Sequence, residues 1–191
     1  MPRAGDMIEN TMTGEKVVFR STRHETGGAL LEADYYLRPG GYVAAAHIHP
    51  RQEETFEVLE GSVNISIGGR DIHAVPGQTY VVMPGVSHRI VNHAGAPAHL
   101  YSTLRPAMRS DELLQTMWAL ASDGRTTKRG IPNLLQAAVS GAYFRGELYL
   151  AGPPVWLQDL VFRLFAPLGR AAGYRGRYLP AATVEKESHH E

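Results

Sequence analysis

Gly41-Tyr42-Val43-Ala44-Ala45-Ala46-His47-Ile48-His49-Pro50-Arg51-Gln52-Glu53-Glu54-Thr55-Phe56-Glu57-Val58-Leu59-Glu60-Gly61 is the stretch that decides the fold. Two imidazoles and a carboxylate fall within eight residues, in a setting of Val, Tyr, Phe and Thr. Those β-formers read as two strands joined by a short turn. Residues two apart on a strand share a face, so His47 and His49 can point at one ion. Glu54 opens the returning strand and can face them from across the turn. Glu53 stands beside it, and register chooses between the two. Glu54 shares parity with Phe56 and Val58 toward an interior, which leaves Glu53 as a solvated rim charge. A third imidazole, His88, follows in Gly85-Val86-Ser87-His88, with Asn92 beyond it.

Three neutral imidazoles and an ionised carboxylate suit a first-row divalent ion. Fe, Mn, Ni, Co and Zn are all admitted, because such a ligand set discriminates weakly by affinity. The expected metal ligands are therefore His47, His49, Glu54 and His88, holding one ion with positions left open. Binding needs deprotonated imidazoles, so metal loss is expected as pH falls through the histidine range. The same parity turns Val43, Ala45, Ile90 and Asn92 inward, an apolar lining suited to a small organic ligand; Asn92 has the alternative role of satisfying backbone groups. Pocket size is expected to depend on residues such as Phe56, Val58, Tyr80 and Val82.

Outward from this stretch, residues 1–104 read as strands. Residues 16–20 and 29–38 are rich in β-formers, and Pro39-Gly40-Gly41 is turn chemistry. Val63, Ile65 and Ile67 alternate with polar partners up to Gly68-Gly69, a tight hairpin signal. Residues 79–83, 88–92 and 99–104 complete a series of short strands at hairpin spacing, the pattern of an antiparallel sandwich or barrel. After Arg105-Pro106 the period becomes helical. Ser110 is the expected N-cap of a helix carrying Leu113, Leu114, Met117, Trp118 and Ala121 on one side, with Gly124 ending it. A second helix is expected over 133–144 and a third after Pro153-Pro154. In that third helix Trp156, Leu157, Leu160, Val161, Leu164, Phe165 and Leu168 form one apolar stripe opposite Gln158, Asp159 and Arg163, and the helices are expected to pack on the barrel or on a neighbouring subunit. The organisation is then an N-terminal arm (1–14), a β-barrel domain (15–104), a helical extension (105–180) and a flexible tail (181–191).

The spacing of the ligand residues resembles the two cupin motifs. Gly41, His47, His49, Glu54 and Gly61 fill the first, with four residues between His49 and Glu54. Gly77, Gly85, His88 and Asn92 fill the second, except that Met83 stands where the family has proline and Pro84 follows it. Fifteen residues separate the motifs, as in a short single cupin domain of bacterial type, and the resemblance covers roughly 15–104. It implies a mainly β fold, an antiparallel jelly-roll β-barrel followed here by about three C-terminal α-helices, and a homodimer. It also implies a metal-dependent oxygenase acting on a small organic substrate. Ligand identity alone equally permits a non-redox isomerase, cyclase or decarboxylase, and a non-catalytic module that binds or senses a small molecule.

Composition sets further bounds. The 191 residues are 43% hydrophobic and 20% charged, ordinary for a globular chain. A formal net charge of zero gives no bulk electrostatic case for nucleic acid. Between residues 104 and 180, ten basic side chains face five acidic ones; we read these as a solvated helix face rather than a membrane surface. With no cysteine, disulfides, thiolate ligands and a cysteine nucleophile are excluded. The first residues lack the apolar core of a signal peptide, and a cytoplasmic location is expected. Among other polar residues, His24, His73 and His93 read as surface or structural, and His189 and His190 form no site by themselves. His99, Tyr101 and Thr103 share one face of the last barrel strand. If that face is interior, Tyr101 is a candidate catalytic acid or substrate-orienting group; if exterior, the helical extension covers it.

Overall fold

The computed structural model describes residues 1–10, 12–128 and 130–179. The expected flexible tail, with His189 and His190, lies outside them. Alternating burial along short segments yields the strands β1 (Met7–Asn10), β2 (Glu15–Ser21), β3 (Leu31–Leu37), β4 (Tyr42–Ile48), β5 (Glu53–Glu60), β6 (Val63–Ile67), β7 (Arg70–Ala74), β8 (Thr79–Val82), β9 (His88–Val91) and β10 (Ala98–Arg105). A single-turn helix, α1 (Arg23–Thr26), sits between β2 and β3. The extension supplies α2 (Ser110–Ser122), α3 (Leu134–Tyr143), a two-residue strand β11 (Tyr149–Leu150) and α4 (Val155–Ala171).

Antiparallel pairing orders β1-β2-β3-β10-β5-β8 in one sheet and β11-β4-β9-β6-β7 in the other. Their inner faces merge in one core, with Phe19, Leu31, Phe56 and Leu100 from the first sheet meeting Ile65 and Ile90 from the second. Each such side chain, fully removed from water, contributes about 1.5–3 kcal/mol. The arrangement is the jelly roll expected from the sequence, built as two facing sheets rather than one closed barrel. The sheets also extend past both ends of residues 15–104. The expected N-terminal arm contributes β1, and the extension contributes β11, which pairs with β4 through Tyr149–Ile48 and Leu150–His47.

Two glycines show why the motif spacing holds. Gly61 has φ +71° and would drive a Cβ into the Pro97 carbonyl oxygen, so only glycine turns β5 into β6 there. Gly68-Gly69, with φ +56° and +83°, forms the two-residue loop between Ile67 and Arg70, the left-handed pair that matches strand twist.

The helices correct two expectations. Ser110 is not a cap: Arg109 occupies that position with no side-chain cap bond. The Ser110 hydroxyl instead donates to Glu147 Oε2 at 3.2 Å and accepts from Gln52 Nε2 at 2.8 Å, satisfying the buried Glu147 carboxylate. Asn133 does cap α3, accepting the Gln136 N–H at 3.0 Å. In α4 most of the expected apolar stripe faces outward, although Val161 and Phe165 are half-buried and Arg163 is exposed as expected. Gln158, Ala166 and Gly169 are buried, while Trp156, Leu157, Leu160, Leu164 and Leu168 are exposed. The cause is backbone satisfaction. Gln158 bonds both the N–H and the C=O of Leu150, each at 3.0 Å, and the Pro153 carbonyl at 2.9 Å. Its side chain thus serves the free edge of β11 as a neighbouring strand would. Close approach of α3 and α4 depends on small residues: a Cβ on Gly141 would lie 2.5 Å from the Phe162 ring, and one on Gly169 would lie 2.5 Å from Val139.

Candidate metal centre

His47 lies near the end of β4, His49 just beyond it, Glu54 at the second position of β5, and His88 at the first position of β9. Pairing of β4 with β9 sets His47 directly opposite His88, with ring centroids 4.2 Å apart. The turn after β4 returns Glu54 to the inner face beside Phe56 and Val58, while Glu53 is half-buried on the other face. All four side chains are buried, at 2–6% exposure. One ligand atom from each lies within 4.8 Å of all the others.

The imidazoles are held in a single tautomer by main-chain carbonyls. Nδ1 of His47 donates to Ala45 O at 2.9 Å, Nδ1 of His49 to Glu147 O at 2.8 Å, and Nδ1 of His88 to Val86 O at 3.2 Å. A carbonyl can only accept, so each Nδ1 carries the proton and each Nε2 presents a lone pair. Glu54 Oε2 lies 2.8 Å from His88 Nε2 and 3.4 Å from His49 Nε2. Yet His88 Nε2 and Glu54 Oε2 are both buried without a hydrogen-bond partner. Two lone-pair atoms facing at contact distance with no proton between them are what a cation would relieve. The donor set fits a divalent transition metal.

Electrostatics point the same way. Burial, then the neighbouring His88 and His49, lowers the His47 pKa to about 3, so it is a neutral ligand across the physiological range. Burial pushes the Glu54 carboxyl up, but the neighbouring His49 and His88 imidazoles outweigh it and hold it well below the usual carboxylate range. Burial opposes a charge on His49, and the Glu54 carboxylate reverses that and raises it. A cation here therefore competes with a proton shared by His49 and Glu54.

His47, His49 and Glu54 line a cavity of about 210 Å³, with His88 just behind them, outside its wall. Val43, Ala45 and Leu104 of the sheets form part of its wall. The extension supplies much of the rest, with Leu113, Met117 and Trp118 from α2, Phe144 after α3, and Phe162 from α4. The helices therefore roof the mouth of the jelly roll. The extension also reaches the candidate ligands, since the acceptor for His49 is the main chain of Glu147.

Other sequence-derived candidates are placed elsewhere. Tyr101 and His99 point to the outer face of β10: the Tyr101 hydroxyl donates to Glu32 beneath the Arg20 guanidinium, and His99 Nε2 meets Asp34 at 2.7 Å. Parity explains this, because Leu100, Ser102 and Leu104 take the buried positions. No residue of the extension is among those partners. Asn92 is fully buried and clamps its loop, donating to Leu37 O, Arg38 O and Ala96 O and accepting from Ala94 N–H. Phe56, Val58 and Val82 lie in the core and Tyr80 packs against it, all outside the cavity wall. His73 and His93 are exposed. Sequence reasoning passed over Glu15 and Tyr35, both of which line the cavity. The parity of Val17 and Phe19 carried the signal for Glu15.

A sequence profile of the Cupin domain matches residues 34–104. The curated HTH-type transcriptional regulator PuuR of Escherichia coli (strain K12) is 32% identical over 103 residues, 53% of this chain and 54% of that protein, and its Shigella flexneri counterpart matches to the same extent. The chain thus spans about half the length of the curated relatives it matches. Among solved structures, a cupin-superfamily sugar phosphate isomerase from Silicibacter pomeroyi is 22% identical with a TM-score of 0.45, covering 55% of this chain and 66% of that one. A predicted oxalate decarboxylase from Thermotoga maritima is 21% identical with a TM-score of 0.48, covering 53% of this chain and 90% of that one.

Proposed function

The chain is a cupin-superfamily protein through residues 34–104, and on that premise we propose a metal-dependent enzyme of oxygenase type acting on a small organic molecule with an apolar body. One observation carries the reading: of three tautomer-locked imidazoles gathered around Glu54, His47 and His49 line with Glu54 a cavity whose remaining wall is largely apolar and roofed by the extension. His47, His49, Glu54 and His88 would hold one divalent transition metal. Bound there, such an ion supplies Lewis acidity and, where it is redox-active, dioxygen chemistry. The chain's own contribution is to exclude water with Leu113, Trp118, Phe144 and Phe162, to seat the hydrocarbon body against them, and to keep His47 neutral.

Metal analysis after controlled reloading is expected to give close to one ion per chain; well under one ends the metal assignment. Oxygen uptake by iron-loaded protein is then measured over 1,3-diketones, catechols and small acids. Uptake that depends on one of these supports the oxygenase reading. Full turnover with a redox-inert ion and no oxygen replaces it with a Lewis-acid isomerase, cyclase or decarboxylase. A second reading, a module that binds or senses a small ligand, is favoured by the similarity to a transcriptional regulator; saturable binding of a panel compound with no turnover would select it.

The homodimer implied by the family resemblance has a face available on α4. Trp156, Leu160, Leu164 and Leu168 recur every four residues and are 43–68% exposed, and one apolar stripe repeated in a second copy is self-complementary across a two-fold axis. Leu160→Glu combined with Leu164→Glu is expected to convert a dimer to a monomer by light scattering with metal content unchanged. A wild-type protein that is monomeric at micromolar concentration would refute this face as a dimer contact. Among the described residues no helix is long and apolar enough to cross a membrane.

A further inference from the structure

Glu15, the first residue of β2, is fully buried on the inner face of the six-stranded sheet, in parity with the core residues Val17 and Phe19. It lines the same cavity as His47, His49 and Glu54. The sheet order carries that wall from Glu15 through Tyr35 on β3 and Leu104 on β10 to Glu54 on β5. The Thr13 hydroxyl donates to Glu15 Oε2 at 3.4 Å, while Oε1 is buried with no hydrogen-bond partner. Among the described lining residues there is no lysine or arginine to pair with it. The titratable groups that share the cavity wall with it are Tyr35, Glu54, His47 and His49. A buried carboxylate without a cationic partner is strongly disfavoured, and the group takes up a proton instead. Burial accordingly pushes the Glu15 carboxyl well above its ordinary value, and the nearby Glu54 adds to the shift. A protonated carboxyl has one O–H to give, and its unpartnered oxygen leaves that proton for a molecule in the cavity.

Resting on the reading of this cavity as a substrate site, we propose that Glu15 is a ligand-recognising acid. Its O–H donates a hydrogen bond to an acceptor oxygen of a small apolar molecule that carries a second oxygen function for the histidine end. The substrate class is therefore one with two separated oxygens on an apolar frame, such as a dicarbonyl or an oxo acid, rather than a mono-oxygenated hydrocarbon.

Three variants test this in the full chain. Glu15→Gln keeps the shape and an N–H donor; Glu15→Leu keeps the volume and removes the donor. Calorimetry on metal-loaded protein compares an aliphatic 1,3-diketone with the monoketone of equal length. Glu15→Leu is expected to weaken diketone binding roughly tenfold or more while Glu15→Gln stays within a few-fold, and neither moves monoketone binding. Equal diketone affinity in wild type and Glu15→Leu overturns the assignment of Glu15 alone. Absence of binding by wild type to any two-oxygen compound of the panel overturns the cavity reading and this inference with it. A second readout needs neither metal nor ligand. A carboxyl whose folded pKa is raised stabilises the fold fully below its ordinary pKa, and that stabilisation is lost as pH rises through the folded value. The melting temperature of Glu15→Gln relative to wild type is therefore expected to climb as pH rises from about 4.5. A difference that stays flat with pH means Glu15 is ionised, and the proposal falls. Melting of Tyr35→Phe serves as the control and is expected to show no such climb.

Discussion

His49→Ala is expected to abolish stoichiometric metal loading while the jelly roll stays folded. The ring is 6% exposed, its Nδ1 is held by the Glu147 carbonyl at 2.8 Å, and its Nε2 lies 3.4 Å from Glu54. Loss of a hydrogen-bonding partner behind a metal ligand already costs about 10–100-fold in affinity, so loss of the ligand itself is expected to exceed about 100-fold. The fold should tolerate the change because the core of Phe19, Phe56, Ile65, Ile90 and Leu100 lies elsewhere and is closed without the ring. A ligand that binds only the native state stabilises it by mass action, about 4 kcal/mol at a thousandfold excess over Kd. For a chain of this size that raises the melting temperature by roughly 10 °C. Wild type should show this rise on adding metal and His49→Ala should not. A variant that keeps one ion per chain, or the full metal-dependent rise, would mean the ion is held elsewhere.

Much of the four-residue cluster was legible because it depends on local rules. Parity along one strand joins His47 to His49, and the glycines that must turn at Gly61 and Gly68-Gly69 fix where the returning strands start. His88 required knowing that β4 and β9 pair, which spacing alone does not state; the motif resemblance supplied that. The extension was legible as helices and opaque as packing. Counting apolar residues along α4 pointed the leucines inward, but the decisive contact is a single polar side chain, Gln158, that satisfies the edge of a two-residue strand no pattern announces. The facing of Tyr101 stayed open for a related reason. Both faces of β10 carry residues with side-chain chemistry, and the choice between them rests on burial of Leu100 and Leu104, which only the assembled sheets decide. Glu15 was readable in principle, since its parity with Val17 and Phe19 places a carboxyl in an apolar row. A charged residue at the start of a strand reads first as the end of a loop.

Gln158→Ala is expected to loosen the roof and, through it, the metal site. The side chain is the joint partner of Leu150 N–H, Leu150 C=O and Pro153 C=O. Removing it leaves main-chain groups to be satisfied by entering water or not at all, at about 1–3 kcal/mol for each buried orphan. β11 is then held by two residue pairs with β4 and by the Tyr149 hydroxyl, which donates to Asp159 Oδ1 at 2.7 Å. The Glu147 carbonyl that orients His49 lies two residues before β11, and the Glu147 carboxylate accepts from the Arg109 N–H and the Ser110 hydroxyl at the start of α2. A shift of this segment therefore reaches both a metal ligand and the first turn of the helix that walls the cavity. Metal affinity is expected to fall about 10–100-fold, the range seen when the group behind a ligating histidine is disturbed. Hydrogen exchange should speed at Leu150 and Ala151 while the amides of β5 and β10 keep wild-type protection, because the sheet core is untouched. Gln158→Glu separates hydrogen bonding from size, since an ionised carboxylate can accept from Leu150 N–H but cannot donate to either carbonyl; it should resemble Gln158→Ala. Unchanged metal affinity with faster exchange at β11 would show that the roof moves independently of the site. Unchanged exchange would show that Gln158 does not hold the strand, and the burial of Gln158 in place of the leucines of α4 would then need another cause.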